Sequence, residues 1–259
     1  MGGRGYSINS GSNMKSKFFE SLVTKESLNH LCYTNADIIK GKIKGVVTDF
    51  HGFGSDSMKN EPKEHDVFLA ENGILTVYPF YSPWAWANET CIAFCDKIID
   101  TVYGKYSLSA EVPLAICGES MGGMTAFNFS VYTNRKFVCV AACCPVCDLN
   151  AMNKSRIDIL RALCAAYGSE DRTYTEAVAH YSPIFLVDKF KDVPYMITQG
   201  GRDVELDGSE NATALVAKMK DMGFDVTYLF DAEMEHCHMN KAMHREYFDF
   251  IINKLKGAK

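Results

Sequence analysis

The sequence has no long apolar run and no block of basic residues. No stretch approaches the roughly 18 consecutive apolar residues of a membrane-spanning helix, and the first 20 residues lack the apolar core of a secretory signal. The 27 lysines and arginines are scattered and are outnumbered by 32 acidic residues, so the chain offers no basic surface to a phosphate backbone. We expect a cytoplasmic protein that binds neither membranes nor nucleic acid.

Cysteine is too sparse for a disulfide scaffold, and low-complexity sequence is confined to the start of the chain. The ten cysteines among 259 residues lie mostly in apolar runs such as "VCVAACCPVC" (138–147), which fits a reducing compartment. The Gly/Ser/Asn-rich residues 1–20 are predicted to be flexible. Hydrophobic residues make up 47% and charged residues 23%, as in ordinary globular proteins, so we expect a single domain over residues 21–259.

Short apolar runs alternate with amphipathic segments. Six runs predict strands buried on both faces: 45–50, 74–79, 113–117, 137–144, 194–199 and 226–230. Apolar stripes at helical spacing occupy 87–103, 209–222 and 239–255. This alternation predicts an α/β fold with a mostly parallel sheet, flanking helices, and functional loops at the carboxyl ends of the strands. Residues 149–190 are too long for one crossover and predict a small helical lid.

The segment "ICGESMGG" (116–123) places Ser120 between glycines at a predicted strand-to-helix junction. This context is typical of a nucleophile elbow, a strained turn that exposes a serine. Side chains at positions 118 and 122 would collide with the neighbouring strand and helix, whereas glycine has no Cβ. The alternative is a tight turn whose glycines only permit close packing. We favour Ser120 as a nucleophile.

A serine hydroxyl is a weak nucleophile at neutral pH, so it requires a base, and the base requires an orienting acid. Asp203 follows a predicted strand in the Gly-rich segment "ITQGGRD" (197–203). His236 lies in "EMEHCHM" (233–239), between the last predicted strand and the last helix. The chain order Ser, Asp, His is the one that α/β-hydrolases use. The candidate catalytic residues are therefore Ser120, Asp203 and His236.

Neighbouring residues offer alternatives for the base and the acid. His238 is the second candidate base, whereas His244 falls inside the predicted last helix. Glu205 and Asp207 compete in sequence with the favoured acid. Asp148, which follows "CCPVC", is a further alternative, because some hydrolases take their acid from that strand.

We expect no metal site and no cofactor. The histidines and cysteine of 236–244 and the cysteines of 139–147 lack the paired ligand spacing of zinc sites. The cysteines are interpreted instead as small core residues of a buried strand and its end.

With these motifs the chain resembles the α/β-hydrolase superfamily, and within it the esterase-like and prolyl-oligopeptidase-like catalytic domains. The resemblance runs over about residues 40–255 and includes "DFHGFG" (49–54) and "YSPIFLVDKF" (181–190). It implies that the backbone N–H groups of Phe53 and Met121 form an oxyanion hole. It also implies that His236, which opens the loop before the last helix, is the base.

Aromatic residues follow the second predicted strand in "YPFYSPWAWAN" (78–88). Because this segment lies at the functional edge, Trp84 and Trp86 are candidate pocket residues, together with His51 of the "HGFG" loop. Packing of the loop on the core is the alternative interpretation for each.

The favoured function is that of a serine carboxylesterase, which cleaves a small-molecule ester through an acyl-enzyme intermediate. A prolyl-oligopeptidase-like peptidase and an acyltransferase would use the same residues. Such peptidases usually carry a large additional domain that gates access, for which this chain has no room. A non-catalytic binding protein of the same fold would lack a member of the triad. Assembly into a homo-oligomer is compatible with the sequence.

Overall fold

The structure is a computed structural model that describes residues 17–54, 58–152, 156–206 and 211–258. The described strands are β1 (Cys32–Thr34), β2 (Gly45–Phe50), β3 (Ile74–Pro79), β4 (Leu114–Glu119), β5 (Val140–Cys143), β6 (Tyr195–Gly200) and β7 (Val226–Asp231). The described helices are α1 (Lys17–Leu22), α2 (Glu64–Glu71), α3 (Glu89–Lys105), α4 (Met121–Tyr132), α5 (Ile157–Tyr167), α6 (Tyr174–Tyr181), α7 (Ala212–Asp221) and α8 (Lys241–Gly257). Of the segment predicted to be flexible, 1–16 lies outside the described residues and 17–20 belongs to α1.

The strands form one sheet in the order β1-β3-β2-β4-β5-β6-β7. Only β1 runs antiparallel to its neighbour, and the pairs from β3 to β7 are all parallel. The α/β fold with a mostly parallel sheet is confirmed. Because parallel strands share one carboxyl edge, the loops after β2, β4, β5, β6 and β7 all open on the same side of the molecule.

Alternate residues of each strand point to opposite faces, and each face is covered by helices. In β4, Ile116 belongs to the core under α3, α4 and α7, whereas Cys117 belongs to the core under α2 and α8. β4, which leads into the candidate site, is therefore buried on both faces, which fixes its carboxyl end rigidly.

One expectation about the sheet was wrong, and two elements were missed. The run 226–230 was predicted to be buried on both faces, but β7 is the edge strand and is half exposed. The short strand β1 and the charged helix α2 were not predicted, because three residues are too few to show alternation and "EHDVFLAE" has no apolar stripe.

The segment 149–190 lies between β5 and β6 and contains α5 and α6. It contacts the aromatic segment that follows β3, since the hydroxyl of Tyr167 donates to the carbonyl of Trp86 and Asn88 Nδ2 donates to the carbonyl of Ala166 at 3.0 Å. Its helices therefore pack over the loop that holds both tryptophans.

None of the helices in the described part of the chain has the length and apolarity that crossing a bilayer requires.

Candidate active site

Ser120 occupies the turn between β4 and α4 in a conformation that few residues adopt. Its φ of 54° and ψ of −119° lie outside the regions open to ordinary side chains. The turn is tied to the end of β5, because the N–H of Ser120 donates to the carbonyl of Cys143 at 2.9 Å and its carbonyl accepts from the N–H of Val146 at 3.1 Å. The serine is thereby presented at the carboxyl edge of the sheet.

The glycines on either side of Ser120 are required by the space around them. A Cβ on Gly122 would lie 2.0 Å from the carbonyl oxygen of Phe50, and one on Gly118 would lie 2.3 Å from the carbonyl oxygen of Gly122. Both distances are far inside van der Waals contact with backbone atoms that the sheet holds in place. Helix α4 can approach β2 and β4 this closely only because both positions lack a side chain.

The "HGFG" loop passes directly beside this turn. A Cβ on Gly52 would lie 3.6 Å from Cβ of Ser120. Met121 is the first residue of α4, where backbone N–H groups have no partner within the helix. The structure thus places the "HGFG" loop and the first residue of α4 next to the serine. That the N–H groups of Phe53 and Met121 form an oxyanion hole stays a prediction.

His51 is a buried support of this loop and lies among the residues that line a cavity with Gly118 and Cys237, and its role as a substrate residue stays a prediction. Its Nδ1 lies 2.8 Å from the carbonyl oxygen of Gly52, and its Nε2 lies 3.1 Å from that of Tyr81. The imidazole ring stacks on the ring of Tyr81 with centroids 3.9 Å apart, and the Tyr81 hydroxyl donates to the carbonyl of His51. Both ring nitrogens are therefore occupied in holding the loop.

Asp203 and His236 meet beyond the ends of β6 and β7. Nδ1 of His236 lies 2.7 Å from Oδ2 of Asp203, whose side chain is only 1% exposed, against 21% for the histidine. The other oxygen of Asp203 accepts the N–H groups of Glu205 and Leu206, each at 3.0 Å. These bonds fix the carboxylate and hold the imidazole with Nδ1 as the donor.

Gln199 is a contributor to the site that the sequence did not reveal. It is fully buried at the end of β6, and its Nε2 donates to Oδ2 of Asp203 at 3.1 Å, the same oxygen that binds His236. The only signal for it was its position, a polar residue inside an apolar strand four residues before the acid. It completes a set of four donors around the carboxylate.

The rival residues lie elsewhere. The side chain of His238 is 80% exposed and, among the residues that the structure describes, pairs with Glu235, while His244 packs against His65 and Phe248. Asp148 caps a short turn by accepting the N–H of Asn150 at 2.8 Å.

The remaining candidate acids do not approach the histidine either. Glu205 pairs with Arg156, and Asp207 lies outside the described residues. Of these alternatives, none that the structure describes contacts His236.

The imidazole of His236 faces a thiol that was expected to be only a core residue. Cys144, in the first position after β5, has its sulfur within 4.8 Å of a ring nitrogen of His236 and of a carboxylate oxygen of Asp203. Burial lowers the pKa of His236, but hydrogen bonds to Asp203 and Cys144, with the negative charge of these groups, outweigh it and raise the pKa to about 9. Hydrogen bonds from Cys143 and Cys237 lower the pKa of Cys144. Between the described side chains of Ser120 and His236 there is no hydrogen bond.

The two tryptophans differ in their surroundings. Trp84 is 49% exposed at the surface, whereas Trp86 is 1% exposed and packs against Phe53 with ring centroids 5.3 Å apart. Nε1 of Trp86 is buried without a hydrogen-bond partner among the described residues. Trp86 therefore forms an interior wall behind the "HGFG" loop, and Trp84 lies on the surface beside it.

Comparison with known proteins agrees with this architecture. The sequence profile of the prolyl oligopeptidase family matches residues 95–258, well over half of the chain, and this match includes Ser120, Asp203 and His236. No curated protein sequence matches the chain.

Solved structures share the fold at low sequence identity. A puromycin-hydrolyzing peptidase of Mycobacterium tuberculosis is 18% identical with a TM-score of 0.66, covering 85% of this chain, but the chain spans only 35% of that peptidase. An S-formylglutathione hydrolase from Agrobacterium tumefaciens is 16% identical with a TM-score of 0.60, and the match covers 84% of this chain and 86% of the hydrolase. Esterase B from Lactobacillus rhamnosis is 15% identical with a TM-score of 0.65, and the match covers 85% of this chain and 77% of the esterase.

The close packing of the elbow predicts that one added methyl group strongly destabilises the protein. Gly122→Ala is expected to lower the free energy of unfolding by about 3 kcal/mol, because the new Cβ would overlap the carbonyl of Phe50. Thermal denaturation measures this against Gly257→Ala, whose Cβ would meet no atom within 4 Å. Equal melting temperatures for the two variants would contradict the packing described here.

The surroundings of His236 predict an alkaline titration. NMR of the imidazole should give a midpoint near pH 9, above the ordinary value of 6.5. Because the folded-state pKa is raised, the resulting stabilisation is complete below the ordinary pKa and is lost as the pH rises through about 9. Asp203→Asn should lower the midpoint, since it removes the carboxylate charge. A midpoint that Asp203→Asn leaves unchanged would show that the pair does not form in solution.

Proposed function

Since the chain belongs to the prolyl oligopeptidase family of serine hydrolases, we propose that it hydrolyses carboxylic esters through an acyl-enzyme intermediate on Ser120. One observation carries the proposal. The strained turn of Ser120 shares its sheet edge with a histidine whose Nδ1 is bound by a buried carboxylate at 2.7 Å. That arrangement leaves Nε2 of His236 for proton transfer, which is the role of the base in a Ser-His-Asp triad.

In the proposed acylation, Oγ of Ser120 attacks the ester carbonyl and His236 takes the hydroxyl proton. Collapse of the tetrahedral intermediate breaks the bond to the leaving alcohol, which receives that proton from His236. Water then attacks the acyl group, again with His236 as base, and the acid is released. Asp203 stays ionised throughout and stabilises the imidazolium.

The hydrogen bond between serine and base is expected to form when substrate binds. Catalytic hydrogen bonds are commonly long or misaligned before that point. Because the pKa of His236 is raised to about 9, the free base becomes more abundant as the pH rises, and hydrolysis should accelerate with pH up to that value.

The oxyanion would be bound by the N–H groups of Phe53 and Met121. Supporting this, the "HGFG" loop lies against the serine, and Met121 opens a helix whose N-terminal dipole favours negative charge. Donors of this kind contribute about 3 kcal/mol each to the stabilisation of a transition state. The burial of His51 between two backbone carbonyls would keep the loop in position before substrate arrives.

One observation favours an ester with an apolar acyl group. Phe53 and Trp86 form an aromatic wall at the proposed oxyanion loop, with ring centroids 5.3 Å apart, which suits such a group.

Replacing the nucleophile tests the central claim. Ser120→Ala should lower kcat/KM for short p-nitrophenyl esters by at least about a thousandfold, because the covalent step is lost. Circular dichroism should show unchanged folding. Wild-type turnover by Ser120→Ala would contradict the proposal.

The two histidines of "EHCHM" provide a matched pair of variants. His236→Ala should lose turnover as Ser120→Ala does, because only His236 is bound by Asp203. His238→Ala should keep it, since that side chain is exposed and pairs with Glu235. The reverse result in p-nitrophenyl ester assays would assign the base to His238.

Two substrates that share an acyl group and differ in the leaving group distinguish an esterase from a peptidase. For a given acyl group, kcat/KM for the p-nitrophenyl ester should exceed that for the p-nitroanilide by at least about 100-fold, equivalent to about 2.7 kcal/mol in transition-state binding. Faster cleavage of prolyl or other aminoacyl anilides would favour a peptidase on the same residues.

A further inference from the structure

Three thiols from two distant segments meet next to His236. Cys143 and Cys144 stand at the end of β5, and Cys237 directly follows His236. Their three sulfur atoms lie within 4.8 Å of one another, and none of the three is in a disulfide. The sequence concealed this cluster, because each segment alone lacks the paired spacing of a zinc site. The tertiary fold supplies two ligands from one segment and one from the other.

The spacing of these sulfurs suits a tetrahedral cation. Bonds of about 2.3 Å to a central zinc ion put ligand sulfurs about 3.8 Å apart, so shifts of an ångström or less in side chains would complete the site. His236 is the candidate fourth ligand, because a ring nitrogen lies within 4.8 Å of the Cys144 sulfur, although it does not share one 4.8 Å cluster with all three sulfurs and its ring has to move towards them. Asp203 binds Nδ1 of that ring at 2.7 Å and leaves Nε2 for the metal, as carboxylates do for zinc-bound histidines.

The backbone at two of these cysteines is unusual. Cys144 has φ of 41° and Cys237 has φ of 58°, in the left-handed region that costs a residue with a side chain on the order of 1 kcal/mol. In this conformation the N–H of Cys237 donates to the sulfur of Cys144 at 3.3 Å. Such a bond stabilises the thiolate, which is the form that binds metal.

We propose that Cys143, Cys144, Cys237 and His236 form a binding site for a thiophilic divalent cation of the zinc type. Binding forms three metal–sulfur bonds and one bond to Nε2 of His236, and it releases to solvent the protons that the thiols and Nε2 of the imidazolium carry beforehand. Cys237 and the half-buried ring of His236 provide the route of entry. Nε2 cannot bind a metal and accept the proton of Ser120 at once, so occupancy blocks ester hydrolysis. This consequence rests on the proposed function, whereas metal binding itself does not.

Cadmium titration tests the site without reference to activity, because thiolate-to-cadmium charge transfer absorbs in the ultraviolet. Reduced protein should bind one equivalent of Cd²⁺ with this band, and Cys237→Ser should weaken binding by at least about tenfold. Cys164→Ser is the matched control, since Cys164 is exposed on α5. An absent band, or a band of equal affinity in Cys237→Ser, would overturn the proposal. Cys144→Ser gives a second test of the same kind.

Zinc inhibition tests the fourth ligand. Zn²⁺ should inhibit p-nitrophenyl ester hydrolysis reversibly, with release by EDTA, and His236→Ala should weaken Cd²⁺ binding. Cadmium binding that neither inhibits hydrolysis nor depends on His236 would remove the histidine from the site and overturn the proposed four-ligand arrangement. If the protein binds cadmium as expected but cleaves no ester, the proposed function fails while the metal site stands.

Discussion

The close approach of α4 to β2 and β4 is the constraint on which the rest of the site depends. It exists because positions 118 and 122 have no side chains, and a Cβ at Gly122 would lie 2.0 Å from the carbonyl of Phe50. The approach forces Ser120 to a φ of 54° and seats the first turn of α4 against the "HGFG" loop. The backbone strain at Ser120 persists because the surrounding packing holds the residue in place from several sides, as is common at functional sites.

Left-handed backbone recurs around this point. Of the described non-glycine residues with positive φ, five stand at the sheet edge or in the aromatic segment beside it: Trp86, Ala87, Ser120, Cys144 and Cys237. Each follows or leads into a strand or helix that is itself buried. Rigid elements thus hold short, strained connections in fixed positions, which is how a loop can carry side chains with the accuracy that proton transfer requires.

His236 is the residue on which every function discussed here converges. Its Nδ1 is held by Asp203, which Gln199 and two backbone N–H groups hold in turn. The thiol of Cys144 lies within 4.8 Å of a nitrogen of the same ring. In the two proposals, the hydroxyl of Ser120 and a bound cation would both need Nε2 of this imidazole, which links the proposed hydrolysis to the proposed cation site. The hydrogen bonds to Asp203 and Cys144 are also what raises the pKa of the histidine against its burial.

Short sequence patterns were enough to predict the α/β fold, the elbow at Ser120 and the presence of Asp203 and His236 in loops at one sheet edge. These features are local, since strand periodicity, glycine spacing and chain order can be read within short windows. The sequence did not reveal that β7 is an exposed edge, that His51 is bound between two carbonyls, or that Gln199 supports the acid. The folded structure was needed to show which of several acids and histidines meet, and that Cys143 and Cys144 lie beside Cys237. Long-range packing is the cause: side chains 93 and 94 residues apart become neighbours through strand pairing and crossover connections, and no local pattern encodes that distance.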